Sequence, residues 1–158
     1  MGLCITGSVS LKGYSYGYSA LHLVRWLALL TCGFPEKING ESSCLSFYPN
    51  FAIFPTGQKL ISHDVIGNML ASLQVAGYRY PNLLLHSDCE GKYTPKGQVL
   101  QGRGWLTGNS KELLGELKNV KKLTTKHLHK ERAWAVFNSL FEVVKDEVEN
   151  GKGILKFH

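Results

Sequence analysis

The sequence predicts an α+β fold, a small mixed or antiparallel sheet packed against about four helices near residues 18–32, 64–76, 110–122 and 128–149. Three observations predict it. Residues 2–9 alternate, with Leu3, Ile5 and Val9 on one side and Cys4, Thr6 and Ser8 on the other, the period of a half-buried strand. Trp134, Phe137, Phe141, Val144 and Val148 recur at spacings of 3, 4, 3 and 4, the period of a helix with one apolar stripe. The 158 residues are 44% hydrophobic and 19% charged, a globular composition long enough for one sizeable core. No repeat, low-complexity run or linker divides the chain, so a single domain over 1–158 is expected.

The elements follow in order. After the first strand, Lys12-Gly13-Tyr14-Ser15-Tyr16-Gly17 reads as a loop with tyrosines at its tip. Residues 18–32 read as a helix, stopped by Gly33 and Pro35 and apolar almost all round, hence central. Its polar exceptions, Ser19, His22 and Arg25, are spaced by three and share one stripe. Residues 36–44 read as a polar loop. Residues 45–47 and 51–54 read as short strands interrupted by Pro49-Asn50. Residues 64–76 carry Val65, Ile66, Met69, Leu70, Leu73 and Ala76 on one helical face, with Gly77 after the end. Residues 80–86 form an apolar run expected to be a central strand, and 96–108 are Gly-rich and expected to be irregular. A helix opens at Asn109 or Ser110, where Glu112 is placed for a capping box with Asn109. Gly151 and Gly153 end the last helix, and residues 154–157 read as a terminal strand.

Net charge is +6 and the isoelectric point about 9.2, which favours anionic partners. Much of the charge lies in Lys118, Lys121, Lys122, Lys126, Lys130 and Arg132, accompanied by His127 and His129. This 118–132 segment is a candidate nucleic-acid footprint without a helix-turn-helix, RNA-recognition or zinc-finger signature. The plainer reading is a solvated face balanced by Asp146, Glu147 and Glu149. Cys4, Cys32, Cys44 and Cys89 form no C-x-x-C pair, and reduced thiols in a cytoplasmic setting are expected. The longest apolar stretch, residues 21–30, contains His22 and Arg25 and is too short and polar to span a bilayer, so no membrane partner is expected. Gly102-Arg103-Gly104 lacks the rest of a nucleotide-binding glycine loop.

The densest run of reactive groups is His86-Ser87-Asp88-Cys89-Glu90-Gly91. On an extended backbone His86, Asp88 and Glu90 alternate onto one face, a ligand set for a divalent metal or an acid–base set for hydrolysis. Three ligands within five residues are awkward to bring to one ion without a further residue such as His22. The plainer reading is a turn in which Asp88 caps backbone amides and His86 bonds inside the core. Cys89 as a nucleophile with His86 or His22 as base is the narrower alternative to a buried structural thiol.

Four landmarks in order make the chain resemble a family of small, largely uncharacterised bacterial and phage proteins. Its members begin Met-Gly-Leu-Asp-Ile, to which Met1-Gly2-Leu3-Cys4-Ile5 is similar. Gly13-Tyr14-Ser15-Tyr16-Gly17-Tyr18, leading into a helix with Arg25, resembles their tyrosine loop. His86 to Gly91 matches their His-Ser-Asp-Cys-Glu/Asp-Gly stretch, and Trp134 with Gly151 to His158 is similar to their terminal helix, glycine turn and Phe-His end. Cys4 departs from the family aspartate, so a site built on that aspartate is altered here. The resemblance implies a compact domain of bacterial or phage origin, in the host cytoplasm if phage-encoded, and no particular activity or cofactor.

The leading functional expectation is a small binding protein for an anionic, nucleotide-like small molecule. Its site would combine Tyr14, Ser15, Tyr16, His22 and Arg25 with His86, Ser87, Asp88 and Glu90. A metal-dependent hydrolase using His86, Asp88 and Glu90, and a nucleic-acid-binding protein using the 118–132 segment, are the alternatives.

Overall fold

A computed structural model describes residues 2–9, 14–33, 37–38, 41–42, 77–84, 92–97, 107–124 and 131–157. The first strand, β1 (Gly2–Thr6), buries Ile5 completely and leaves Cys4 half-buried, as its alternation requires. β2 (Tyr14–Gly17) pairs antiparallel with it, Leu3 opposite Tyr16, Cys4 opposite Ser15 and Ile5 opposite Tyr14. The expected loop at these residues is therefore a strand. The ladder to β1 satisfies its backbone, and tyrosine suits a pleated surface.

α1 (Tyr18–Thr31) follows β2 directly. Val24, Arg25, Leu27, Ala28 and Leu29 are all buried, which makes this helix central as its composition predicts. Beyond its end Cys32 and Gly33 donate to the carbonyls of Leu29 and Leu30, and Gly33 takes φ +85°, the left-handed closing conformation. β3 (Lys37–Ile38) and β4 (Glu41–Ser42) pair as a small antiparallel hairpin, where the sequence had suggested a loop. The overlooked signal is Asn39-Gly40, the dipeptide tight hairpins favour. The expected strands at 45–47 and 51–54 and the expected helix at 64–76 lie outside the described residues.

The expected strand at 80–86 is corrected. Pro81–Leu84 is a short helix, α2. An apolar run this short does not distinguish strand from helix by period. Proline fixes φ for a first helical position and needs no hydrogen-bond partner there. The first-turn amides of Asn82 and Leu83 find their acceptor in Glu116, a residue distant in sequence.

β5 (Lys92–Thr94) and β6 (Gly108–Asn109) run parallel, with Tyr93 opposite Gly108. β6 begins at the end of the 96–108 segment that was expected to be irregular. α3 (Ser110–Leu123) opens as predicted, Asn109 accepting from the amide of Glu112 at 3.0 Å. α4 (Glu131–Asn150) and β7 (Leu155–Phe157) complete the chain as predicted.

Among the described residues five strands form one mixed sheet in the order β2-β1-β7-β5-β6, all neighbours antiparallel except β5 and β6. With the helices this is the expected α+β class. α4 packs against both α1 and α3, and α2 against α3. The core joins Ile5, Leu27, Leu117, Val120, Val136, Phe137, Val144 and Leu155. Trp134, Phe137 and Phe141 stack in series along α4 at centroid distances of 5.5 and 6.1 Å. Burial of each large apolar side chain of that stripe contributes about 1.5–3 kcal/mol. No described helix is long and apolar enough to cross a membrane. Cys4 and Cys32 are free thiols; Cys44 and Cys89 lie outside the described residues.

Candidate functional site

Asn82 is fully buried in the first turn of α2, and both ends of its side-chain amide are hydrogen-bonded. Its Nδ2 donates to Glu112 Oε2 at 3.1 Å and to Glu116 Oε1 at 3.0 Å, and its Oδ1 accepts from the amide of Asn109 at 2.8 Å. Its own amide donates to Glu116 Oε1 at 3.1 Å, and its carbonyl accepts from the Tyr93 hydroxyl. Glu116 Oε2 receives the Leu83 amide at 2.9 Å. One carboxylate on α3 thus caps α2 from outside, while Asn82 ties α2 to β5, β6 and α3. Above it Tyr80 shares a hydrogen bond with Thr31 Oγ1 and accepts another from Asn119 Nδ2. Arg79 donates to the Thr31 carbonyl, closing the last turn of α1.

The electrostatics of this cluster are unusual. Burial pushes the Glu116 carboxyl up, the donors from Asn82 and Leu83 pull it partly back, and the nearby Glu112 raises it again, leaving it at about 7. Glu116 therefore exchanges a proton near neutrality. The phenol of Tyr78 is 3% exposed and has no hydrogen-bond partner among the described residues. Burial first, then the Glu116 charge, hold it well above its ordinary range, against the opposing field of Arg25. Arg25, 1% exposed on α1, thus lies within electrostatic reach of Tyr78.

No known protein family, curated protein or solved structure matches this chain. Function must accordingly be argued from the chain's own groups. Of the residues singled out in the sequence, Arg25 is buried on α1 within electrostatic reach of Tyr78, and Ser15 is exposed on β2, where its hydroxyl lies 3.7 Å from the Cys4 thiol. Tyr14 and Tyr16 stand on β2 rather than on a loop, and His22 stands on α1 one turn before Arg25. His86, Ser87, Asp88, Cys89 and Glu90 lie outside the described residues, as do residues 125–130 of the basic segment. Among the described residues no group of three His, Cys, Asp or Glu side chains is placed to hold a metal.

The sequence reading missed Asn82, Tyr78 and Glu116. A signal existed for Glu116. Glu112 and Glu116 are a like-charged pair four apart, unfavourable on an isolated helix and therefore a hint of shared donors nearby.

Glu147 is also corrected. It does not balance the basic segment. It is fully buried, and its carboxylate receives the Ser8 amide (2.5 Å), the Ser8 hydroxyl (2.7 Å), and the amides of Val9 (3.3 Å), Lys152 (3.2 Å) and Ile154 (3.2 Å). Gly7 and Gly151 crowd it so closely that a Cβ at either position would collide with the carboxylate. Burial raises this carboxyl, but the bonds from Ser8, Ile154 and Val9 together outweigh it and hold the group below the ordinary carboxylate range. The cluster fastens the end of β1 to the turn between α4 and β7.

Proposed function

We propose that the protein binds an anionic small molecule of nucleotide-like chemistry where α1 meets the segment leading into His86. The observation that carries this reading is the burial of Arg25 on α1 within electrostatic reach of Tyr78, in a segment that continues through α2 to Leu84, two residues before His86. A planar guanidinium held away from bulk water suits a phosphate or carboxylate, because its fork matches their paired oxygens. His22, Tyr14, Ser15 and Tyr16 would supply the α1 and β2 side, and His86, Ser87, Asp88 and Glu90 the other. Kinship with the bacterial and phage proteins that share the His-Ser-Asp-Cys stretch belongs to the same proposal.

The test is thermal unfolding with AMP, ADP, ATP, pyrophosphate and inorganic phosphate. A ligand at a hundred times its Kd stabilises by about 2.7 kcal/mol, a rise in Tm of roughly 5–10 °C for a domain of this size. Arg25→Lys, which keeps the charge and loses the fork, is expected to abolish most of that rise while remaining folded. Absence of any shift across the panel overturns the reading. Zinc or manganese in the purified protein by elemental analysis, with stabilisation by the metal alone, would transfer the site to the hydrolase alternative on His86, Asp88 and Glu90.

A further inference from the structure

We infer that the solvent face of α3 is a docking surface for the phosphate backbone of a nucleic-acid duplex, formed by Lys111, Lys118 and Lys122 in one row. The helix Ser110–Leu123 carries four lysines and two glutamates. Mixed charges of that number ordinarily neutralise one another along a helix. Here both acids are bonded to Asn82 in the first turn of α2, Glu116 half-buried and Glu112 still exposed, and helix periodicity places them to one side of the lysines. Lys111, Lys118 and Lys122 remain exposed.

The geometry of the row follows from helix periodicity. Residues 111, 115, 118 and 122 fall within about 60° of arc and span about 16 Å along the axis. Position 115 is a glycine with nothing within 4 Å of where a Cβ would stand, so the row has a low centre onto which a rigid backbone can close. Among the described residues the acid paired with the row is Glu149, 3.8 Å from the Lys118 ammonium, with both side chains about half exposed. Such a pair is weak and gives way to a phosphate. Lys121 sits beside the row, its ammonium 4.4 Å from the centre of the Phe141 ring. The sequence continues the charge beyond α3 with Lys126, Lys130 and Arg132.

The chemistry of the face selects the partner. Single strands are held by aromatic platforms as well as charge. The exposed residues of α3 are Lys111, Glu112, Gly115, Lys118, Asn119, Lys122 and Leu123, with no aromatic among them. An anionic bilayer needs apolar anchors on the same side as the lysines. The apolar stripe of α3, Leu113, Leu114, Leu117 and Val120, is spent in the core, and Leu123 alone is exposed. A duplex needs only a row of cations along one face, since it carries one charge per ~1.7 Å of axis. The contact is to phosphates and so carries no base preference of its own.

The experiment is fluorescence anisotropy of the whole protein with an end-labelled 20-base-pair DNA duplex between 50 and 200 mM KCl. Three phosphate contacts predict a slope of log K against log salt near −3, and an affinity about 40-fold lower at the upper concentration. The triple variant Lys111→Gln/Lys118→Gln/Lys122→Gln is expected to fold normally, because all three side chains are exposed. It is expected to lose at least tenfold in affinity at 50 mM KCl and most of the slope. Lys96→Gln/Lys152→Gln/Lys156→Gln removes the same charge from exposed positions elsewhere and is expected to stay within about threefold of the parent. Equal losses in the two triple variants would reduce the effect to net charge and overturn the proposal. So would absence of duplex binding at 50 mM KCl, or preferential binding to phosphatidylserine vesicles or to polyglutamate.

Discussion

Glu116→Gln isolates the most informative titration in the molecule. The Glu116 carboxyl stands at about 7 in the fold against 4.5 for an ordinary glutamate. Between those values the folded protein binds more protons at this position than the unfolded chain, so stability falls as pH rises. The contribution of the neutral carboxyl is complete below about 4.5 and is lost as pH rises through 7. A shift of 7 minus 4.5 units at 1.36 kcal/mol per unit gives about 3.4 kcal/mol in full. About 2.5 kcal/mol of it falls between pH 5 and 8.5, from the same two-state titration. That window avoids the acid range in which Glu147 titrates. Glutamine cannot ionise, so urea denaturation of both proteins at pH 5 and 8.5 should show parent stability falling by about 2.5 kcal/mol more than that of the variant. The histidines contribute equally to both proteins and cancel. The loss of one acceptor oxygen, facing the Leu83 amide, lowers the variant at both pH values and cancels as well. Parallel pH dependences in the two proteins would refute the claim that burial and Glu112 raise this carboxyl.

Two further outcomes follow from other positions. Glu147→Gln should cost about 3–5 kcal/mol in urea denaturation at pH 7, because every group reaching this carboxylate is a donor and an amide adds donors that nothing accepts. Its folded carboxyl lies below the ordinary range, so the stabilisation is present above about 4.5 and is lost as pH falls through the folded value; the variant should lack that part of the acid transition. Gly115→Ala should raise stability by about 0.5–1 kcal/mol, read as a Tm roughly 1–4 °C higher, because the position is exposed within α3 and open around a Cβ.

The sequence by itself determined the α+β class, β1, α1, the cap of α3, the stripe of α4 and the closing strand. These rest on local causes: side-chain period, a capping side chain three residues from its amide, a glycine that closes a helix. Tertiary structure decided what depends on partners far away in the chain. Tyr14–Gly17 became a strand because β1 lay beside it, and Lys92–Thr94 because β6 and β7 did. Pro81–Leu84 became a helix with its amides held by Glu116, more than thirty residues further on. The site followed the same division. Arg25 was legible as a polar exception on an apolar helix, and its burial follows from the centrality of α1. Asn82 and Tyr78 were not legible, because an asparagine and a tyrosine carry no period or motif of their own, and Glu116 showed only as a like-charged neighbour of Glu112. The bonding of Glu112 and Glu116 to Asn82, to one side of the lysine row on α3, was likewise invisible in a sequence that shows both charges side by side. Burial and the direction of a hydrogen bond belong to the packed chain, since only packing removes water and brings remote donors to one carboxylate.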